Sequence, residues 1–142
     1  MFIKQVSVFL ENSTGRIQSA LGVLKEENIN IVSLSVADTS DFGVLRMIVS
    51  DAECAKEALK ARGLSAHLTD VLAIKLPHVV GSLQRALDTL SDAGINIEYM
   101  YALSTKDENA CIVIKPADKE IAAKALEGCG FTFLTNDEVE NF

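Results

Sequence analysis

The chain repeats itself, and that repetition restricts its fold more than any other property. Aligning Leu10–Ile31 with Leu76–Ile97 at an offset of 66 gives nine identities in 22 pairs. They include Gly15/Gly81, Leu21/Leu87, Leu24/Leu90 and the triplet Ile29-Asn30-Ile31 against Ile95-Asn96-Ile97. At an offset of 67, Asp51–Leu64 matches Asp118–Phe131 at six of 14 positions, so the second copy carries a one-residue insertion. Agreement over this length marks a duplicated structural unit, and two copies are too few for a solenoid. The 142 residues are therefore expected to form two small domains, 1–69 and 70–142. Units of that size bury modest cores and are expected to lean on each other or on another chain.

Hydrophobic periodicity gives both copies one element order. Phe2–Leu10 is apolar and rich in β-branched residues, a strand. Thr14 is placed to cap a helix that carries Ile17, Leu21 and Leu24 on one face. Ile29–Val36 alternates as a second strand, 38–43 is turn chemistry, and Val44–Val49 is the return strand. Asp51 caps a helix over Ala52–Ala61 that Gly63 closes, and Leu64–His67 begins a fourth strand. The second copy follows as Val71–Leu76, Gly81–Ala93, Ile95–Leu103, Ala110–Lys115, Asp118–Glu127 and Phe131–Leu134. Thr69-Asp70 reads as the only polar break between the copies, and 136–142 as a loose acidic tail. The expected fold class is α+β, two tandem ferredoxin-like βαββαβ units with antiparallel sheets and helices on one face.

Composition removes several functions. A formal charge of −7 argues against nucleic acid and against an anionic membrane surface. No apolar run is long enough for a transmembrane helix, and Lys4, Gln5 and Glu11 interrupt any signal-peptide pattern. The cysteines, Cys54, Cys111 and Cys129, never form a CxxC pair and suit reduced thiols in a cytoplasmic protein. Val44–Val49 and Ala110–Lys115 lack the aromatics on which RNA bases stack. The first loop of each copy lacks the paired thiolates of a soft-metal carrier. No catalytic triad, metal cluster or cofactor motif is present, so neither catalytic nor metal-binding residues are expected.

What remains is a binding site, and the duplicated stretch supplies its chemistry. A helix start presents amides without intrahelical partners at the positive end of the dipole. Glycine there admits a ligand carboxylate to the backbone. Asn12 adds a side-chain amide, and Asn30 at the strand mouth can accept from an ammonium group. Taken singly, Gly15, Gly81, Asn30 and Asn96 fit ordinary roles in turns and at strand starts; their joint recurrence favours a ligand with both charges, a free amino acid. Two other readings stay open: a small acylphosphatase-like hydrolase using Arg16 and Asn30, and a ligand-free protein-interaction module. For Asp38 and Asp41, turn formation competes with a flap over the ligand.

The segment Asn12-Ser13-Thr14-Gly15-Arg16-Ile17, followed after a helix by Ile29-Asn30-Ile31, resembles the ACT domain, a regulatory amino-acid-binding module. The family's loop is commonly D/N-x-P-G-x-L/I, followed by G-I/V-N-I at the start of the second strand. Thr14 stands where proline is usual. In the second copy Gly81, Leu83 and Gly94-Ile95-Asn96-Ile97 match, whereas His78 and Val80 depart from the pattern. The resemblance covers essentially the whole chain, twice, and extends to small stand-alone tandem-ACT proteins. It implies a ligand held by the loop of one unit and the second strand of another. That places Asn12, Ser13, Thr14 and Gly15 with Asn96 and Ile97, and His78, Val79, Val80 and Gly81 with Asn30 and Ile31. It further implies a non-catalytic regulator without a cofactor, expected as a homodimer acting on a partner enzyme. The more polar loop at Asn12 is expected to be the better site.

Overall fold

A computed structural model describes residues 1–38, 41–103 and 109–142. The elements run β1 (Ile3–Glu11), α1 (Arg16–Glu26), β2 (Ile31–Asp38), β3 (Phe42–Val49), α2 (Ala52–Ala61) and β4 (Ser65–Pro77). There follow α3 (Ser82–Asp92), β5 (Ile97–Leu103), β6 (Asn109–Pro116), α4 (Lys119–Gly128), β7 (Thr132–Phe133) and α5 (Asn136–Glu140). The order β-α-β-β-α-β occurs twice, with the long strand β4 continuous through the end of the first copy and the start of the second, an α+β chain of two ferredoxin-like units. One unit comprises Lys4–Thr69 with Asp137–Phe142, the other Asp70–Asn136 with Met1–Ile3.

In the first unit the strand order is β2-β3-β1-β4. β1 and β3 pair antiparallel from Val6↔Met47 to Glu11↔Phe42, and β2 and β3 from Ile31↔Val49 to Asp38↔Gly43. Alternation sends Val6, Val8 and Leu10 of β1, with Leu45, Met47 and Val49 of β3, to one face. There they meet Ala20, Val23 and Leu24 of α1 and Ala55 and Leu59 of α2, so both helices lie on that face. The second unit orders β4-β6-β5, with β7 pairing β4 at Ile74↔Phe133. Its core joins Leu72, Ile74, Leu76 and Ile114 to Ala86 and Leu90 of α3 and Ala122, Ala123 and Leu126 of α4.

The duplication holds at the level of single hydrogen bonds. Ile29 N–H donates to Leu24 O at 2.9 Å, and Ile95 N–H to Leu90 O at 2.9 Å. Asp51 Oδ1 accepts from Cys54 N–H at 3.0 Å, as Asp118 Oδ1 does from Ile121 N–H at 3.1 Å. Caps of this kind stabilise a helix by about 1 kcal/mol. The pairs Ala37↔Val44 and Leu103↔Cys111 correspond, so the insertion falls between Leu103 and Cys111 in sequence. The left-handed position after α1 is Asn28, φ 58°, where the second copy has Gly94, φ 73°.

Four expectations are corrected. Thr14 is not a cap: Gly15, φ 86°, stands at the N-cap and no side chain bonds the first turn. Thr69 and Asp70 do not interrupt the strand, because β4 runs through both and Lys119 Nζ donates to the Asp70 carboxylate. The segment 136–142 is not loose, since α5 forms and Val139 is 5% exposed. The last strand of the second copy is only Thr132–Phe133. The expected turn residues Thr39 and Ser40 lie outside the described residues.

Candidate functional site

Each unit offers two places where the sequence concentrates polar recognition groups, and they are far apart within the unit. Glu11, which leads into the first loop, pairs with Phe42, whereas Ile31, at the mouth of β2, pairs with Val49. Those partners bracket β3, so at roughly 3.3 Å per residue the two places are about 23 Å apart. Arg16 lies at one end and Asn30 at the other, and Arg16 Nη2 is engaged by Glu11 Oε2 at 3.1 Å. Within a unit, Arg16 and Asn30 therefore do not assemble the hydrolase pair.

The loop half-site is built in the same way in both copies. Ser13 N–H donates to Glu11 O at 2.9 Å and Val79 N–H to Pro77 O at 2.8 Å. Helices α1 and α3 then start at Gly15 and Gly81, with φ 86° and 87°. Neither has a side-chain cap, in contrast to α2 and α4; Arg16 N–H donates to Ser13 O at 3.4 Å and Ser82 N–H to Val79 O at 3.2 Å. A β-carbon at either glycine would meet nothing within 4 Å. Glycine is thus required there by the positive φ alone, and the space above the backbone is open. Asn12 N–H donates to Asp41 O at 3.1 Å, which ties the loop to the β2–β3 hairpin. Asp38 is exposed at the end of β2.

The half-site at the strand mouth is also duplicated. Ser50 N–H donates to Asn30 O at 2.9 Å while Asn30 N–H donates to Ser50 Oγ at 3.0 Å. Ala117 N–H donates to Asn96 O at 2.9 Å. A register shift follows in each copy, between Ile31 and Ser33 and between Ile97 and Tyr99. Such bulges re-aim side chains and concentrate at functional sites; no residue type in the sequence announces them. The mouth of β2 opens into a concavity of ≈ 430 Å³ lined by Leu21, Lys25, Asn28, Asn30 and Ile31, among others.

The side chains of Asn12, Ser13, Thr14, Asn30, His78 and Asn96 make no hydrogen bond among the described residues. Val79 and Val80 are 65% and 106% exposed, so the second loop presents carbon where the first presents hydroxyls and an amide. Ile31 and Ile97 are half-buried against their own cores. Among the described residues no cluster of three His, Cys, Asp or Glu could hold a metal ion, and no helix is long and apolar enough to cross a membrane.

The cysteines differ in environment. Burial raises the Cys54 thiol, and the negative charges of Asp51 and Glu27 raise it further. Cys111 is buried and Cys129 exposed. A thiol held in its neutral form is a poor nucleophile. Timed labelling with an aromatic disulfide should modify Cys129 first, Cys54 more slowly and Cys111 only on unfolding. Equal rates by mass spectrometry would contradict this assignment.

Each of the two ferredoxin-like units thus carries an uncapped glycine-led helix and a bulged Ile-Asn-Ile strand mouth. The ACT domain pair family matches residues 1–139, and the chain belongs to it. The solved structure of protein BT0572 from Bacteroides thetaiotaomicron is 38% identical, with a TM-score of 0.93 over 100% of this chain and 98% of that one. The ligand-free regulatory subunit of aspartate kinase from Thermus thermophilus shares the fold at 19% identity and a TM-score of 0.63, over 89% and 92% of the two chains. The aspartate kinase of Clostridium acetobutylicum matches at 15% identity and a TM-score of 0.51, over 88% of this chain and 32% of that one. No curated protein sequence matches the chain.

Proposed function

We propose that this protein is a non-catalytic regulator that binds a free amino acid through its ACT units. The observation carrying this reading is the recurrence in both copies of an uncapped, glycine-led helix start and a bulged strand mouth, with the side chains of Asn12, Asn30 and Asn96 making no hydrogen bond among the described residues. First-turn amides and the Asn12 side chain suit a carboxylate, and the Asn30 side-chain Oδ1 suits an ammonium. Because the two half-sites of a unit are too far apart for one amino acid, a complete site takes its loop and its strand mouth from different ACT units. Asn12, Ser13, Thr14 and Gly15 then act with Asn96 and Ile97, and His78, Val79, Val80 and Gly81 with Asn30 and Ile31. Such a site makes a homodimer a natural assembly. Ligand that favours one arrangement of units shifts an equilibrium felt by a partner enzyme. The regulatory role stated for the Thermus thermophilus subunit supports this direction.

Thermal-shift screening of the twenty amino acids tests the reading. A ligand at a hundred times its dissociation constant should stabilise the native state by roughly 2.7 kcal/mol. Asn12→Ala should weaken binding more than His78→Ala, since Asn12 offers both a donor and an acceptor. A flat screen would leave the ligand-free interaction module as the surviving account.

A further inference from the structure

The four half-sites are not electrostatically alike. At the Asn12 loop, Arg16 is neutralised by Glu11 at 3.1 Å. At the Asn96 strand mouth, Glu98 is neutralised by Lys115 at 3.2 Å. The Asn30 strand mouth has no such compensation. Lys25 lines its concavity and has no carboxylate or hydrogen-bond partner for its ammonium among the described residues. Glu26, beside it in sequence, is taken by Arg62, and Glu27 is not part of the lining. Two uncommitted side-chain amides, Asn28 and Asn30, share that concavity. In the second copy Ser91 and Gly94 stand where Lys25 and Asn28 stand in the first, so the charged lining is not inherited with the fold.

A parallel asymmetry marks the loops. Arg85 of the second unit lies 4.6 Å over the Phe131 ring and lines a ≈ 210 Å³ concavity with Val80, Gly81 and Ser82. Its counterpart in the first unit is Ser19, whose hydroxyl donates to Gly15 O at 2.9 Å. The stacked guanidinium keeps its charge without a carboxylate partner among the described residues. As a C-terminal helix residue, Lys25 also offsets the negative end of the α1 dipole, which is the alternative use of its charge.

Resting on the amino-acid-binding reading, we propose that the half-site at Asn30 takes an acidic amino acid, its side-chain carboxylate bound by Lys25. The neutralised half-sites at Asn12 and Asn96 take an uncharged one, so the chain carries two kinds of site. Aspartate or glutamate places a second carboxylate beyond the α-carboxylate and ammonium. Their amides, asparagine and glutamine, keep the shape and lose the charge, and a charge-assisted bond discriminates between them.

Isothermal titration of the full chain with L-aspartate, L-glutamate, L-asparagine and L-glutamine is the test. At the site that Lys25→Met weakens, an acidic amino acid should bind at least about tenfold more tightly than its amide, as a bond to a charged group implies. Lys25→Met should collapse that preference, and Lys25→Arg should keep it. Equal binding of acid and amide, or a preference that survives Lys25→Met, overturns the assignment. Binding of neutral amino acids without any acidic preference sinks this inference alone, whereas binding of no amino acid sinks the sensor reading with it.

Discussion

Gly15→Ala should weaken amino-acid binding by more than about tenfold while costing the fold only about 1–2 kcal/mol, the ordinary penalty for an L-residue in left-handed backbone. The two effects separate because of what surrounds the residue. Nothing lies within 4 Å of the added carbon, so packing is not disturbed. That carbon enters the open space above the uncapped start of α1, where a ligand carboxylate would approach the amides. Denaturant melts with and without ligand measure both quantities. If the variant keeps wild-type affinity, the helix start is a turn and nothing more.

Leu24→Ala and Leu90→Ala should each cost about 2–5 kcal/mol, the usual range for emptying a buried leucine position. They are equivalent residues of α1 and α3, 1% and 0% exposed, in two cores that share no member. Losses of similar size would show that the two cores contribute comparably to stability. Sites without shared partners add within about 0.5 kcal/mol. The double variant in urea should therefore lose close to the sum of the two. A markedly smaller loss would mean that the native state had already failed in one unit.

Much of the fold is legible in the sequence because duplication tests every local assignment twice. Leu24 and Leu90, or Asp51 and Asp118, mark the same helix in two different contexts. The failures have physical causes. Thr14 is a good capping residue, but Gly15 takes the left-handed conformation and occupies the N-cap itself. Thr69-Asp70 is polar, yet Thr69 and Asp70 are only half-buried, which a strand tolerates, and Lys119 satisfies the carboxylate. Helix α5 is five residues long and buries one hydrophobic side chain, too little to produce a period. The candidate site is legible at Gly15, Asn30 and their counterparts, whose recurrence stands out. Lys25 carries no such signal, because an isolated lysine near a helix end has an ordinary explanation. Only the concavity beside Asn30 gives it another.

The two ends of the polypeptide are each claimed by the more distant half of the sequence. Met1–Ile3 belongs with Asp70–Asn136, where Lys119 lies 4.9 Å over the Phe2 ring and Asn136 Nδ2 donates to Phe2 O at 3.3 Å. The last six residues, 137–142, belong with Lys4–Thr69. Severing the gene after Thr69 would therefore give two polypeptides that each lack a strip of their own packing. Fusions or affinity tags at either terminus would bear on the copy that is remote along the chain.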